Sequence, residues 1–374
     1  MSKLFQPLEV AGCHLQHRMI MAPLTRFRAD ENYVPTAIMK EYYAQRASVP
    51  GTLLISEGVQ ISQRSIGIQN VPGIWSRAQI DAWREITDAV HAKGSYIWCQ
   101  LWVLGRASRL DPAVQEKLGV KLLGASPIAI SPDHRIPEEM SEEDIRQSIE
   151  DHRVAARNAI EAGFDGVQLQ GSGGYLLDQF FQDVTNKRTD RWGGSLENRA
   201  RFPIEVIKAI SQEIGSIKVA IRLSPWSDFL GMGMDDPIPD FTYLVQQLRT
   251  LDLGFLDLVE ARIRGNEDAD CGGDNDVSFA VHAWGREAPV MIGGGFNGES
   301  AQKAVDETYK DYKVAIIFGR HWTSNPDLPF RVKANVPFVK YDRPTFYVPG
   351  KSKGYSDWAF SEEFLASGAA AGAA

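Results

Sequence analysis

The feature that most constrains the fold of this chain is the alternation of eight short apolar segments with segments of helical spacing. The apolar runs are rich in β-branched and aromatic residues, and they are Met19–Leu24, Thr52–Glu57, Tyr96–Trp102, Gly166–Gln170, Lys218–Leu223, Leu256–Glu260, Val290–Ile292 and Val314–Phe318. Helical spacing between them is clearest in Ala78–Ala92 and Glu142–Ala162. Such alternation predicts parallel strands joined by crossover helices. Eight units predict an α/β fold of the closed (β/α)8 TIM-barrel type rather than an open sheet.

Two connections are too long for simple loops and predict capping insertions on the barrel. Gly105–Met140 contains four prolines before the next helix begins, which indicates an excursion over one barrel end. Arg264–Val277 is acidic and glycine-rich, and its aspartates raise the question of a calcium loop. The EF-hand ligand pattern fails, because the twelfth position from Asp268 is Phe279 and the fifth is Gly272. We expect a solvated loop near the barrel mouth.

The composition fits one large soluble barrel. The 374 residues exceed the usual length of a single domain, but a barrel with insertions reaches it, and we assign residues 1–366 to one domain. A net charge of −8 argues against a nucleic-acid or anionic-membrane partner. Three cysteines without a CxxC pair suit a reducing compartment, and no run of about 18 apolar residues occurs, so we expect a cytoplasmic protein without a metal site. The low-complexity residues 367–374 are expected to be disordered or a remnant of cloning.

The segment Gly163–Phe202 is the most informative candidate for a functional site. Its strand alternates Val167 and Leu169 with glutamines, breaks into four residues that include three glycines, and delivers Tyr175 just past the strand end. A side chain carried by a glycine-rich turn after a strand is well placed to reach a ligand. The alternative is that the glycines only make a tight turn and Tyr175 packs into the core. Ser195 then predicts the N-cap of a new helix.

The same segment resembles the old yellow enzymes, which are flavin-dependent ene-reductases built on a barrel. The resemblance lies in GYLLDQF…N-x-RTD-x-x-GGS-x-ENR-x-RF, and it extends from MAPLTRFRA near the start to KYDR-x-TFY near the end. Fungal members that act in alkaloid and other secondary-metabolite pathways are the most similar in appearance. The resemblance implies an NADPH-dependent flavin oxidoreductase with FMN as its cofactor.

Several strand ends are candidates for holding the flavin ring. In the proteins that this chain resembles, the backbone equivalent to Pro23 and Leu24 lies against the flavin, and the hydroxyl equivalent to Thr25 bonds the ring carbonyl near N5. Gly58 follows the second strand, where missing side-chain bulk permits close approach of a ring. Gln100 on the third strand offers a donor and an acceptor, which suits the imide edge of the flavin.

An arginine inside an apolar strand also needs explanation. Arg222 in KVAIRLSP requires an anionic or acceptor partner. The N1–C2 edge of a reduced flavin would supply one, and an internal salt bridge to a barrel carboxylate is the alternative.

The end of the seventh strand matches a G-x-G-x-x-G pattern from Gly293 to Gly298. A dinucleotide-binding fold begins with that motif, whereas here only one strand remains after it, so the context excludes this interpretation. Glycines after strand seven, with Gly319 and Arg320 after strand eight, match the usual phosphate site of a TIM barrel. Backbone N–H groups of Gly294 and Gly295 with a bidentate Arg320 would hold the monophosphate of FMN.

On the substrate side, the family carries a histidine and an asparagine or histidine that donate to the substrate carbonyl. This chain has Gln170 and Gly173 at those positions, so one donor is an amide and the other is absent. Tyr175 matches the family's proton donor, and Tyr347 resembles an aromatic residue that lines the substrate side. Trp102 is equally consistent with a wall residue and with a direct contact.

The mechanism that the resemblance implies has NADPH reduce FMN, flavin N5 give hydride to the β-carbon of an activated alkene, and Tyr175 protonate the α-carbon. Three interpretations remain. The first is an ene-reductase in which the pair of donors to the substrate carbonyl, which we call the carbonyl clamp, is rebuilt at Gln170 and Gly173. The second is a flavin enzyme that dehydrogenates or isomerises one natural-product intermediate. The third is a non-catalytic FMN-binding barrel, against which the presence of Tyr175 and Arg222 argues. We expect a small-molecule substrate, no nucleic-acid or membrane partner, and a monomer or homodimer.

Overall fold

The computed structural model describes residues 2–261 and 275–368, and eight parallel strands form a closed barrel within them. We number the barrel strands in chain order: β1 Met19–Met21, β2 Leu53–Gln60, β3 Tyr96–Trp102, β4 Gly166–Gln170, β5 Val219–Leu223, β6 Phe255–Val259, β7 Val290–Gly293 and β8 Val314–Phe318. Each strand pairs in parallel with its sequence neighbours, and β8 closes on β1. The predicted TIM barrel is therefore confirmed.

Twelve α-helices lie in the described residues: α1 Ala37–Arg46, α2 Arg77–His91, α3 Pro112–Leu118, α4 Glu142–Glu161, α5 Leu176–Phe181, α6 Leu196–Ile214, α7 Pro237–Arg249, α8 Ser278–Trp284, α9 Gly298–Lys303, α10 Arg320–Ser324, α11 Leu328–Ala334 and α12 Glu362–Ala366. The helices predicted at Ala78–Ala92 and Glu142–Ala162 are α2 and α4, and each begins with a capping box on a serine. Ser195 caps α6 through its side chain, as predicted.

The period of two along each strand separates two cores. Residues such as Ile20, Trp98 and Phe255 point into the barrel, where they pack with Leu15 of an N-terminal hairpin, Leu8–Val10 with Cys13–Leu15. The alternate residues of the same strands pack outward against the helices in a larger cluster. Both faces of the closed sheet are therefore apolar, and the polar groups of a site can lie at the carboxyl ends of the strands.

Two strand ends differ from the sequence prediction for identifiable reasons. β1 stops at Met21 rather than Leu24, because Pro23 has no N–H to continue the ladder. β2 runs past Glu57 to Gln60, with a shift in register against β3 between Ile55 and Gly58. A bulge of this kind re-aims the side chains that follow it.

The predicted excursion at Gly105–Met140 is confirmed in outline and contains structure that its prolines did not suggest. Pro112 stands at the first turn of α3, where proline is favoured because its missing N–H would have no partner. A two-stranded parallel pair, Leu123–Gly124 with Glu138–Glu139, follows. Arg106 donates to backbone carbonyls of this excursion and of the β5–α7 connection, which fastens the two together.

The question of a calcium loop, with Asp268, Asp270 and Gly272, lies outside the described residues, as does Cys271. The other two cysteines, Cys13 and Cys99, are buried free thiols. No helix in residues 2–261 and 275–368 is long and apolar enough to cross a membrane. Of the tail at 367–374, only Ser367 and Gly368 are described.

Candidate active site

A cavity of about 620 Å³ opens at the carboxyl ends of the barrel strands. It brings together all of the predicted site residues except Gly58 and Gly173. Those that line it are Pro23, Leu24, Thr25, Gln100, Trp102, Gln170, Tyr175, Arg222, Gly294, Gly295, Gly319, Arg320 and Tyr347. Six strands contribute to this set, so the closure of the barrel itself assembles the site.

The two predicted glycines that do not line the cavity lie next to aromatic residues that do. A Cβ at Gly58 would lie 2.4 Å from Cε3 of Trp102, so the space left by the missing side chain is occupied by the Trp102 indole. Gly173 has φ +65°, and its N–H donates to the Ser224 hydroxyl at 2.9 Å. A Cβ at Gly173 would make an ordinary 3.5 Å contact with the Tyr175 ring. Direct roles for both glycines in binding stay predictions.

A chain of polar groups crosses the barrel beneath the cavity. The Gln100 amide donates to Gln168 at 2.8 Å, Gln168 donates to Asp257 at 2.8 Å, and Arg222 Nη1 pairs with the same Asp257 oxygen at 2.6 Å. These side chains point inward because they occupy alternate positions on their strands, opposite the helix-facing residues. The salt-bridge alternative for Arg222 is thus realised. Arg222 still lines the cavity, and its Nη2 lies 3.8 Å from where a Cβ on Gly293 would be.

Tyr175 stands at the start of α5, in extended conformation immediately after the glycine turn. Its ring packs edge-on against Trp102 with ring centroids 4.9 Å apart. Burial raises the pKa of its hydroxyl to about 12, and the nearby positive charge of Arg109 opposes that shift. The phenol therefore keeps its proton at neutral pH, as a general acid must.

Gln170 ends β4 with its amide held from one side. Its Oε1 accepts from the Ser172 hydroxyl at 2.9 Å and from the Gln100 amide at 3.5 Å. Because the acceptor end is engaged inside the protein, the Nε2 end is the donor that a ligand oxygen can use. Gln170 is therefore oriented as a single donor.

The opposite side of the cavity is built from glycine turns at the ends of β7 and β8. Gly295 has φ +68°, a conformation that favours glycine. A Cβ at Gly294 would lie 2.3 Å from the Cβ of Glu260, so this glycine is also required for packing. Arg320 follows Gly319, and its guanidinium lies 5.8 Å from the centre of the Tyr341 ring.

The cavity wall also contains residues that were not predicted from the sequence, among them Arg26, Phe27, Ile68, Leu104, Arg109, His321, Tyr341, Arg343 and Phe346. Phe27, Tyr341 and Arg343 lie in the same short motifs as predicted site residues, so proximity in sequence could have found them. Phe27 also has φ +57°, and the centre of its ring lies 5.4 Å from the centre of the Tyr347 ring. Arg109 lies inside the excursion, where no local pattern distinguishes it.

Comparison with known proteins agrees with this geometry. Residues 3–338 match the model of the NADH:flavin oxidoreductase / NADH oxidase family. The chain is 52% identical to a chanoclavine-I aldehyde reductase of Penicillium roqueforti, covering 97% of this chain and 98% of that one. It is 50% identical to an NADP-dependent oxidoreductase of Aspergillus flavus and 47% identical to a protein of Epichloe festucae var. lolii named "Probable inactive reductase", each with 97% of both chains covered.

The solved structures include the Old Yellow Enzyme from Pichia sp. AKU4542, which superposes with a TM-score of 0.88 at 36% identity. The match covers 96% of this chain and 94% of that one. The chain belongs to the old yellow enzyme family. The predicted family and the predicted class of NADPH-dependent flavin oxidoreductase are confirmed.

FMN is the cofactor of this old yellow enzyme, and the donor set of the cavity fits it. No aspartate or glutamate occurs among the described residues that line the cavity, so an anionic cofactor meets no repulsion from them. Arg320 and the glycine turns of β7 and β8 would hold the phosphate, and Arg222 and Gln100 would hold the ring edge. A Cβ at Gly319 would meet nothing closer than 3.7 Å, which leaves room beside its backbone.

Proposed function

We propose that this old yellow enzyme reduces the activated C=C bond of a bulky enal or enone from secondary metabolism, with Tyr175 as proton donor and NADPH as reductant. The observation that carries the proposal is Tyr175 itself, a partly buried phenol in the wall of the FMN cavity whose pKa is raised to about 12. The relative named as an aldehyde reductase supports an aldehyde as the substrate class.

When bound, FMN supplies the hydride for the β-carbon of the alkene. The protein's part begins with Gln170, whose Nε2 donates to the substrate carbonyl oxygen and stabilises the charge that develops there. Tyr175 then gives its phenolic proton to the α-carbon, and solvent at the cavity mouth reprotonates it. The rings of Phe27, Trp102 and Tyr347 hold the substrate by stacking and exclude water from its reacting bond.

A specialised dehydrogenase or isomerase is the second candidate, and the carbonyl clamp favours it. Gly173 supplies no side-chain donor, and Gln170 supplies one neutral donor, so charge on a substrate oxygen receives less stabilisation than two donors would give. Such an enzyme would act on one intermediate whose own structure activates the bond that reacts. A non-catalytic barrel is the third candidate, and the presence of Tyr175 and Arg222 in one cavity argues against it.

The decisive experiment separates the two half-reactions by anaerobic stopped-flow spectroscopy. We expect NADPH to bleach the flavin and a conjugated aldehyde to restore its colour. Tyr175→Phe should slow the second step by about 10²-fold to 10⁴-fold, because that is the usual contribution of a positioned general acid. Flavin reduction by NADPH is the internal control, and it should be unchanged in Tyr175→Phe.

Wild-type enzyme that NADPH bleaches but no conjugated aldehyde or ketone reoxidises would refute the proposed function. Product formed without net consumption of NADPH would establish the isomerase instead. A colourless protein that cannot be reconstituted with FMN would refute every interpretation with a flavin.

A further inference from the structure

The cavity wall carries an uneven charge that the proposed reaction does not explain. Its described residues include five arginines, Arg26, Arg109, Arg222, Arg320 and Arg343, and no carboxylate. The chain as a whole has a net charge of −8. A concentration of one sign of charge in a cleft of an oppositely charged protein raises the local concentration of complementary ligands.

Most of this charge already has an assignment. Arg26 is 1% exposed and donates to the carbonyls of Phe346 and Gly354, at 3.1 and 2.7 Å. Its guanidinium therefore binds the C-terminal segment to the barrel. Arg222 pairs with Asp257 and would hold the flavin edge, and Arg320 would hold the phosphate. The FMN itself therefore accounts for two of the five arginines.

Arg109 differs from these because it is exposed and, within the described residues, is held through its backbone alone. Its N–H donates to the Gly67 carbonyl at 2.8 Å, while its guanidinium makes no hydrogen bond or ion pair within residues 2–261 and 275–368. Burial raises the pKa of both tyrosines of the substrate side. The charge of Arg109 opposes that rise at Tyr175, and at Tyr347 it does so together with the larger effects of Arg343 and Arg26. Arg109 lines the cavity together with Tyr175 and Tyr347, so its positive charge faces the same cavity as these two rings.

We propose that Arg109 is a specificity-determining residue that makes the cavity mouth select ligands with an oxyanion over ligands with a cationic amine. The inference rests on the proposed function for its substrate class, an aryl or polycyclic enal or enone whose distal end bears a carboxylate or phosphate. Aromatic rings alone would attract a cation. A guanidinium among those rings reverses the preference, because like charges repel and a carboxylate gains a bidentate partner.

Binding to the oxidised holoenzyme tests the proposal without turnover. The ligands are three para-substituted phenols of similar size that differ in charge: 4-hydroxybenzoate, 4-hydroxybenzamide and (4-hydroxyphenyl)trimethylammonium. Isothermal titration calorimetry should rank them anion, neutral, cation in order of decreasing affinity. Arg109→Gln should reduce the ratio of anion to cation affinity by about threefold to tenfold, between the effect of an exposed ion pair and that of a charged hydrogen bond.

Two variants control this measurement. Lys117→Gln removes the same formal charge from an exposed residue of α3 in the same excursion, and the ratio should not change. Arg109→Lys keeps the charge and should keep most of the ratio. Flavin content and melting temperature verify that each variant is folded. An equal ratio in wild type and Arg109→Gln, or an equal loss in Lys117→Gln, would overturn the proposal.

The oxyanion has two possible sources, and the half-reactions distinguish them. If the substrate supplies it, Arg109→Gln should weaken reoxidation by 4-carboxycinnamaldehyde relative to 4-(trimethylammonio)cinnamaldehyde and leave the Kd for NADPH unchanged. If the nicotinamide supplies it, the Kd for NADPH should rise and the two aldehydes should change equally. Should no aldehyde reoxidise the wild-type flavin, the proposed function fails, while the phenol ratios still decide the role of Arg109.

Discussion

Restoring two donors at the end of β4 would test whether the carbonyl clamp is what distinguishes this cavity. The double change is Gln170→His with Gly173→Asn. In the native site the Gln170 oxygen is held by Ser172 and Gln100, at 2.9 and 3.5 Å, so only its amide nitrogen faces a ligand. Gly173 contributes no side chain, although its Cβ position lies 3.5 Å from the Tyr175 ring. A side chain at residue 173 would therefore reach the same space as the proton donor.

The structure sets the expected magnitude. Hydrogen bonds to a charged or strongly polar oxygen contribute about 1–3 kcal/mol, which corresponds to a gain in phenol affinity of about fivefold to 150-fold. The backbone at residue 173 has φ +65°, so asparagine there should cost about 1 kcal/mol of folding stability, at the low end for a side chain in the left-handed region. Its Cβ would meet no atom closer than 3.5 Å, so no steric cost is added.

Phenol titration, followed by the long-wavelength charge-transfer band of the flavin, measures the gain. Gly173→Ala is the matched control, because it carries the same backbone strain and the same Cβ without a donor, and its phenol affinity should not rise. Gly174 offers no comparable site, since a Cβ there would lie 2.8 Å from Leu230. If wild type already binds phenol and reduces cyclohexenone as well as the double variant does, Gln170 and Gly173 are not the functional departure.

Two further predictions concern the cofactor and the pH dependence of stability. Arg320→Ala should lower the FMN content after gel filtration without lowering the melting temperature of the apoprotein, and full flavin retention would contradict the phosphate assignment. Burial raises the pKa of Asp178 from 3.8 to about 7, against the hydrogen bonds from Gly174 and Gln182. The folded state thus binds this proton more tightly than the unfolded state, so its contribution to stability is complete below pH 4 and is lost as the pH rises through 7. Asp178→Asn should flatten the fall in melting temperature between pH 4 and 7, and an unchanged slope would assign the dependence elsewhere.

The sequence was sufficient for the barrel because its signals are local and repeated. Each strand alternates or runs apolar over a few residues, and helix starts such as Ser76 and Ser141 carry complete capping boxes. The predicted strand ends were less accurate. The end of β2, for example, depends on a register shift against β3 that the sequence of β2 does not reveal by itself. Long-range pairing decides such boundaries, and periodicity in one segment does not report it.

The site was predictable where strand ends carry it and was missed where a loop returns to it. Gln100, Gln170 and Arg222 converge because parallel strands in a closed barrel end at one face. Arg109 lies near the start of the excursion that follows β3, whose path is fixed by contacts such as those of Arg106 with distant carbonyls. Such contacts join residues far apart in sequence and leave no periodic signal.

Arg222 shows why two interpretations of one residue need not exclude each other. Its Nη1 pairs with Asp257, which occupies the matching register position on β6 and is wholly buried. Burial raises the pKa of Asp257, whereas Arg222 and Gln168 favour its charged form, so the carboxylate depends on these two donors. A guanidinium is a planar fork with five N–H donors, so one edge can bind Asp257 while the other stays available to a flavin in the cavity. The internal salt bridge and a place in the cavity wall therefore belong to the same arginine, and the two interpretations are compatible.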